Sequence, residues 1–293
     1  MATQDAELFK TIKKIQIETT HLADGLLAGA YRSAFKGRGI EFEEVREYQA
    51  GDEVRSIDWN VTAKMGYPYV KIFREERELT VMLIVDSSSS TRFGSSNVSK
   101  KKIIAEIGAL VAFSAIKNGD KVGLLTFSDK TEIFLAPKKG TRHVLRIIRE
   151  LLVPPPFSRG TDIGKALSYL GKVQHRPAIC FIISDFMCPD FSHELTLLSS
   201  KHDIIAVSVT DPYEATFPNV NLAELTNMET GKHQVIDTGS PSRQRSYIQA
   251  SEKHMEELKE LMAKAKGGFI DVRTDKPYAH EIERFFKTRS HRL

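Results

Sequence analysis

The sequence predicts an α/β fold: a doubly wound, mostly parallel sheet with helices on both faces, preceded by a small N-terminal helix and a β-rich accessory module. Two observations carry this. From residue 80 onward, short apolar runs of strand length alternate with segments of helical spacing. Several of those runs, Val81 to Val85 and residues 178–183 among them, are continuously apolar, the pattern of strands buried on both faces.

The elements follow in order. Residues 5–27 place Leu8, Ile12, Ile15, Leu22 and Leu26 at helical intervals, and the polar face carries both signs of charge, which favours docking on a core over lying on a membrane. Gly37-Arg38-Gly39 frees the backbone to bend. Residues 40–79 mix aromatics, β-branched residues and charges around a turn candidate at Gly66-Tyr67-Pro68, and read as the β-rich module. Trp59, the only tryptophan, is expected to pack this module against the main sheet; exposed, it would be an interface anchor.

Strand 80–86 is followed by a helix near 99–117 with Ile103, Ile104, Ile107, Leu110 and Val111 facing inward. Strands 122–127 and 131–136 share a short turn, and a helix near 141–152 stops before Pro154-Pro155-Pro156. Helix 162–173, strand 178–184, helix 191–201 and strand 204–210 come next. A hairpin-like patch at 220–237 precedes a long helix near 242–266 that ends at Gly267-Gly268, then strand 269–274 and helix 278–288. There is no internal repeat. The expected division is 1–79 for the N-terminal helix and module and 80–293 for the α/β domain.

Composition narrows the class. Lys and Arg total 42 against 38 Asp and Glu, a net charge of +4 that is too slight to argue for nucleic acid. Two cysteines, Cys180 and Cys188, make no disulfide framework or zinc spacing, which suits a reducing cytosol. The first residues lack a signal-peptide apolar region, and no run of 18 apolar residues occurs in the 293, so a cytoplasmic protein without a membrane span is expected.

The chemistry is concentrated in VMLIVDSSSSTRFG, residues 81–94. An apolar run ends in Asp86, and Ser88 and Ser90 complete a D-x-S-x-S pattern; an all-oxygen set of this kind suits a hard cation such as Mg²⁺. Taken alone it also fits a serine-rich turn. In SRGTDIGKALSYL, residues 158–170, Thr161 is placed to cap a helix or to offer its hydroxyl outward. In AICFIISDFM, residues 178–187, a second buried strand ends in Ser184-Asp185. Two strands ending in aspartate with a threonine loop between them form a rarer combination than any one part. Ligands of parallel sheets bind outside the carboxyl ends of strands, where the strand order reverses, and both aspartates lie at such ends.

This combination resembles the metal-ion-dependent adhesion site (MIDAS) of the von Willebrand factor type A fold, a Rossmann-like architecture, over about residues 78–288. The resemblance implies Mg²⁺ or Mn²⁺ held by the hydroxyls of Ser88, Ser90 and Thr161 and by Asp86 and Asp185, directly or through water, with an acidic side chain of a partner completing the metal. Residues 37–79, with Glu47-Tyr48, Gly51-Asp52, Ile57-Asp58-Trp59 and Arg74-Glu75-Glu76, are similar to the signature of a bacterial domain-of-unknown-function family, number fifty-eight, which precedes such a domain. That resemblance implies a MoxR-type AAA+ ATPase, or its client, as partner.

The expected function is therefore a non-enzymatic, divalent-metal-dependent protein-binding adaptor that helps assemble or activate other complexes. The alternatives are a metal-dependent hydrolase of phosphoesterase type using the same site, and a structural domain with a vestigial one. Against the hydrolase, there is no Walker motif and no G-x-S-x-G elbow, and a two-metal site would have to recruit Asp120, Asp129, Asp162 or Asp190. Lys100, Lys101 and Lys102 crowd a helix start, as a solvated basic turn or as a basic rim that attracts an acidic partner.

Overall fold

Six apolar or half-apolar segments pair into the central sheet. In the computed structural model, which describes residues 2–35, 41–74, 78–95, 99–153, 160–216, 220–226 and 233–290, the central strands are β3 (Thr80–Asp86), β4 (Lys121–Phe127), β5 (Thr131–Lys138), β6 (Ile179–Ser184), β7 (Asp203–Thr210) and β10 (Gly268–Arg273). The sheet order is β10-β7-β6-β3-β4-β5. All neighbours are parallel except β5, which turns back antiparallel on β4. The chain therefore leaves β3 toward one edge, then returns across it to β6 and builds toward the other. The reversal lies between β3 and β6, and the crevice of the fold opens there.

Because side chains alternate across a strand, each buried strand feeds two cores. Val81, Leu83 and Val85 of β3 face one layer, with α4 (Lys100–Lys117), α5 (Thr141–Leu152) and α10 (Tyr278–Ser290). Met82 and Ile84 face the other, with α6 (Ile163–Val173), α7 (Ser192–Ser199) and α9 (Pro241–Lys264). Gly123 on β4 leaves room for this packing: a Cβ there would lie 2.5 Å from Met82 Sδ and 3.0 Å from the Leu135 carbonyl oxygen.

The N-terminal helical segment runs further than its apolar spacing predicts. Helix α1 (Ala2–Leu22) passes through a π-turn at Ala23–Leu27 into α2 (Ala28–Phe35). Ile15, Leu27, Tyr31 and Phe35 share the core of the first layer. Tyr31, fully buried, packs edge-on against Phe286 and donates its hydroxyl to Asp120 Oδ2 at 3.0 Å; Asp120 Oδ1 accepts from the Leu79 amide at 3.0 Å. Asp120 thus ties the N-terminal helices to the start of the sheet. That is the amino edge, opposite Asp86, so Asp120 is not available as a further ligand for the site at the carboxyl edge.

The accessory module consists of β1 (Glu41–Glu47) antiparallel to β2 (Tyr69–Arg74) with α3 (Trp59–Met65) between them. Asp58 caps α3 by accepting from the Asn60 and Val61 amides, and Gly66 ends it in a left-handed conformation at φ 77°. Arg46 and Asp52 form a two-pronged ion pair at 2.8 and 2.7 Å. Trp59 does not pack as the sequence suggested. It is 66% exposed, as Val54, Met65 and Tyr67 of the same module also are exposed, because it begins a short helix none of whose residues is buried.

The hairpin expected at 220–237 is β8 (Leu222–Thr226) paired antiparallel with β9 (His233–Asp237), and a single turn, α8 (Pro212–Ala215), follows β7. The bend at Gly37–Gly39 and the proline break at 154–156 lie outside the described residues. Among the described residues no helix is long and apolar enough to cross a membrane.

Candidate metal centre

Parallel strands deliver their last residues to one edge, and β3 and β6 are neighbours there: Val85 pairs with Ile183, so Asp86 and Ser184 follow side by side. Ser184 donates to Asp86 Oδ2 at 2.6 Å, and Asp86 Oδ1 accepts from the Ser88 amide at 2.8 Å. The chain then curls through a short 3₁₀ turn, Ser89–Arg92, held by the Thr91 hydroxyl donating to the Ser88 carbonyl at 2.7 Å. Ser87 fastens the same loop to β4 through the Phe127 carbonyl oxygen. The curl brings Ser88 Oγ within 3.0 Å of Ser90 Oγ, and Ser90 hydrogen-bonds in turn to Asp185. Asp86, Ser88, Ser90 and Asp185 are thereby joined in one hydrogen-bonded chain, with both carboxylates and Ser88 buried.

Thr161 is buried in the loop before α6. The cap of that helix is Asp162, which accepts from the Lys165 amide at 2.9 Å, so capping is not the role of Thr161. The Asp162 amide donates to the Ser128 carbonyl oxygen at 2.8 Å, tying the loop to the carboxyl end of β4. On the other side, burial pushes the Cys188 thiol up to about 12; the Ile163 amide bonds it, and Asp86, Asp185 and Asp162 add to the rise. The thiol lies between the loop before α6 and the two aspartates. Asp129 and Asp190 are engaged in local turns, through the Ser128 hydroxyl and through the Ser192 amide and hydroxyl.

The two carboxylates are not equivalent. Burial and the nearby Asp185 raise Asp86 to about 6, against the pull of Ser184 and Ser88. Burial would raise Asp185 as well, but Lys100 outweighs it and holds Asp185 below the usual carboxylate range. Lys100 Nζ lies 2.8 Å from Asp185 Oδ2 and 2.6 Å from Glu214 Oε1. Lys100 fits neither the solvated basic turn nor the basic rim expected of Lys100, Lys101 and Lys102: it is 1% exposed and turned into the site, whereas Lys102 is part exposed and pairs along its own helix with Glu106. The physical reason is that the buried Asp185 and the half-buried Glu214 offset the desolvation of an ammonium group that the helix start alone would repel.

Glu214 belongs to α8, where Asp211 and Glu214 form a reciprocal capping box. Burial opposes the charge of Asp211, yet the Ser95 hydroxyl and amide, the Tyr213 amide and the Thr274 hydroxyl keep it below the ordinary value. Next to Asp185, Phe186 adopts a left-handed backbone at φ 59°, rare for an aromatic residue, with its ring buried against Phe191. This turn aims Asp185 Oδ1 back to the Met187 amide at 3.1 Å.

Sequence reasoning missed three members of this arrangement: Ser184, Lys100 and Glu214. Ser184 was visible as a hydroxyl beside a strand-end aspartate, and D-P-x-E at 211–214 reads as a capping box. Nothing local signals Lys100, whose partners stand 85 and 114 residues away.

The donors present are hydroxyl and carboxylate oxygens, which fit a small hard divalent cation. Among the described residues no group of three or more His, Cys, Asp and Glu side chains is arranged to hold a metal, so such a cation would depend on the serine and threonine hydroxyls.

Residues 44–257 match the family described as "Protein of unknown function DUF58". The chain belongs to this family. It is 26% identical over 288 residues to the uncharacterized protein Rv1480 of Mycobacterium tuberculosis, covering 97% of this chain and 90% of that protein. It is 24% identical over 181 residues to the uncharacterized protein YeaD of Bacillus subtilis, covering 62% of this chain and 43% of that one. Among solved structures it is similar to an aerotolerance-related membrane protein from Bacteroides fragilis, with 15% identity, a TM-score of 0.48, and 73% of this chain and 100% of that chain covered. It is also similar to the SpRpn10 VWA domain, with 9% identity, a TM-score of 0.38, and 74% and 96% covered.

Proposed function

We propose that this protein is a non-enzymatic adaptor that binds another protein through a divalent cation, Mg²⁺ or Mn²⁺, held by Asp86, Ser88, Ser90, Thr161 and Asp185. The observation that carries this reading is Asp86. It is a buried strand-end carboxylate whose hydrogen-bond partners, Ser88 and Ser184, are neutral, and it lies close enough to Asp185 to feel its charge. A bound divalent cation supplies positive charge to both carboxylates and an open position for an acidic side chain from outside. Two carboxylates and three hydroxyls make an under-charged cage, which favours such an outside ligand. A contact of this kind is strongest when partly desolvated.

The partner in this reading is a MoxR-type AAA+ ATPase or its client, and the protein works in the cytoplasm in assembly or activation of other complexes. The family membership and the signature at residues 37–79 support it. The test is calorimetric titration with Mn²⁺, then capture of the purified ATPase with and without chelator. Metal binding lost in Asp86→Ala, and capture that needs metal and fails in Thr161→Ala, are the expected results. Capture indifferent to both chelator and Thr161→Ala would reject the metal bridge.

A second reading, a structural domain with a vestigial site, draws on the contact of Lys100 with Asp185, since an ammonium group already neutralises one ligand. In that case Mn²⁺ gives no heat with the wild-type protein at any concentration.

A further inference from the structure

We propose that Lys100 and Glu214 together set the divalent-cation affinity of this site, Lys100 as a built-in competitor for Asp185 and Glu214 as the second seat that draws its charge away. The inference rests on the metal-site reading above and names a control element outside the five oxygen ligands.

The placement of Lys100 is costly in two ways. It is wholly buried, and it stands in the first turn of α4, where the aligned peptide dipoles disfavour a cation. Among the described residues, Asp185 and Glu214 offset these terms. They belong to different elements, the end of β6 and the turn after β7, so the ammonium group sits between a metal ligand and a carboxylate that ligates nothing in the proposed cage. Asp86, Asp185 and Glu214 set against Lys100 leave an excess of two negative charges, which one divalent cation neutralises. Without Lys100 the same pocket carries one more negative charge and attracts the cation more strongly. Without the charge on Glu214, Lys100 acts on Asp185 alone and the pocket attracts it less.

Two substitutions therefore move affinity in opposite directions. Lys100→Met keeps the length and apolar stem of the side chain and removes its charge. Glu214→Gln keeps an oxygen for the Asp211 amide, and with it the turn, and removes the carboxylate. If the lysine were only a clamp between the ends of β6 and β7, both changes would loosen the loops and weaken metal binding together.

The experiment is titration of the full chain with Mn²⁺ alone, read by calorimetry and by the electron paramagnetic resonance of free Mn²⁺, on wild type, Lys100→Met, Glu214→Gln and Asp86→Ala. The expected result is binding at least about tenfold tighter in Lys100→Met and severalfold weaker in Glu214→Gln, the sizes expected of a unit charge a few ångströms away in a partly screened interior. Detectable binding in Lys100→Met but not in wild type gives the same support. Equal affinity in wild type and both variants, or weakening in both, overturns the inference while the loss in Asp86→Ala leaves the metal reading standing. No binding by wild type or by Lys100→Met overturns both. If Lys100→Met does not fold, Glu214→Gln decides: unchanged or tighter binding rejects the competitor role.

Discussion

Ser184 donates its hydroxyl to Asp86 Oδ2 at 2.6 Å across the β3–β6 ladder, joining the ends of the two strands at which the sheet reverses direction. The bond is charge-assisted and buried. Ser184→Ala is expected to lower the unfolding free energy by about 1–3 kcal/mol, the range for leaving a buried charged acceptor short of a donor. Urea denaturation at pH 7 checks it; a loss within experimental error means that solvent reaches Asp86 after all.

Asp120 gives the protein a pH dependence at the opposite edge of the sheet. Burial raises its carboxyl to about 6, against the Leu79 amide and the Tyr31 hydroxyl. A carboxyl raised on folding contributes stability that is complete below its unfolded value and lost as pH rises through about 6. Asp120→Asn should flatten this part of the stability profile and add on the order of 1–2 kcal/mol at pH 8. Denaturation midpoints at about pH 4.5 and about pH 8, on either side of about 6, are the measurement. Parallel profiles for the two proteins would place the dependence in another group.

Trp59→Ala is expected to change stability by no more than about 0.5 kcal/mol, as for an exposed side chain with no special contacts. Thermal melts of the two proteins should superimpose. A drop of several degrees would mean that the ring is covered in solution. If the melts agree and partner capture fails, the exposed Trp59 belongs to an interface.

Gly123→Ala is expected to cost about 1–3 kcal/mol, because the added methyl group meets the Met82 sulfur and the Leu135 carbonyl, of which only the first is free to move. The double variant with Met82→Ala separates the two contacts. If it restores no part of the loss beyond the cost of Met82→Ala alone, the backbone contact dominates.

The fold was legible because its signals are local. Continuous apolar runs gave β3, β6 and β7, and helical spacing gave α4 and α6. Asp86 and Asp185 could be placed because a strand end can be read from a few residues around it. What escaped was set by tertiary neighbours. The charge of Lys100 suggested solvent, and only the meeting of β6, α8 and α4 makes a buried position tolerable for it. Trp59 failed in the opposite sense: aromatic character suggested burial, while the capped turn at Asp58 points the start of α3 outward. The continuation beyond residue 27 into α2 was missed because the π-turn at Ala23–Leu27 breaks the 3.6-residue period that the apolar stripe was measured against.

The reversal of strand order between β3 and β6 also has a kinetic consequence. Asp86 and Asp185 are far apart in the chain, and Thr161 lies just before α6, which packs in the second core layer. Contacts of such long sequence separation are expected to close late, when both halves of the sheet have formed. A ligand that recognises only the finished centre stabilises contacts absent from the folding transition state. It should slow unfolding and leave the rate of folding nearly unchanged. Occupancy would then govern how long each molecule survives between openings, so a cell could adjust the lifetime of this protein by what it makes available to bind.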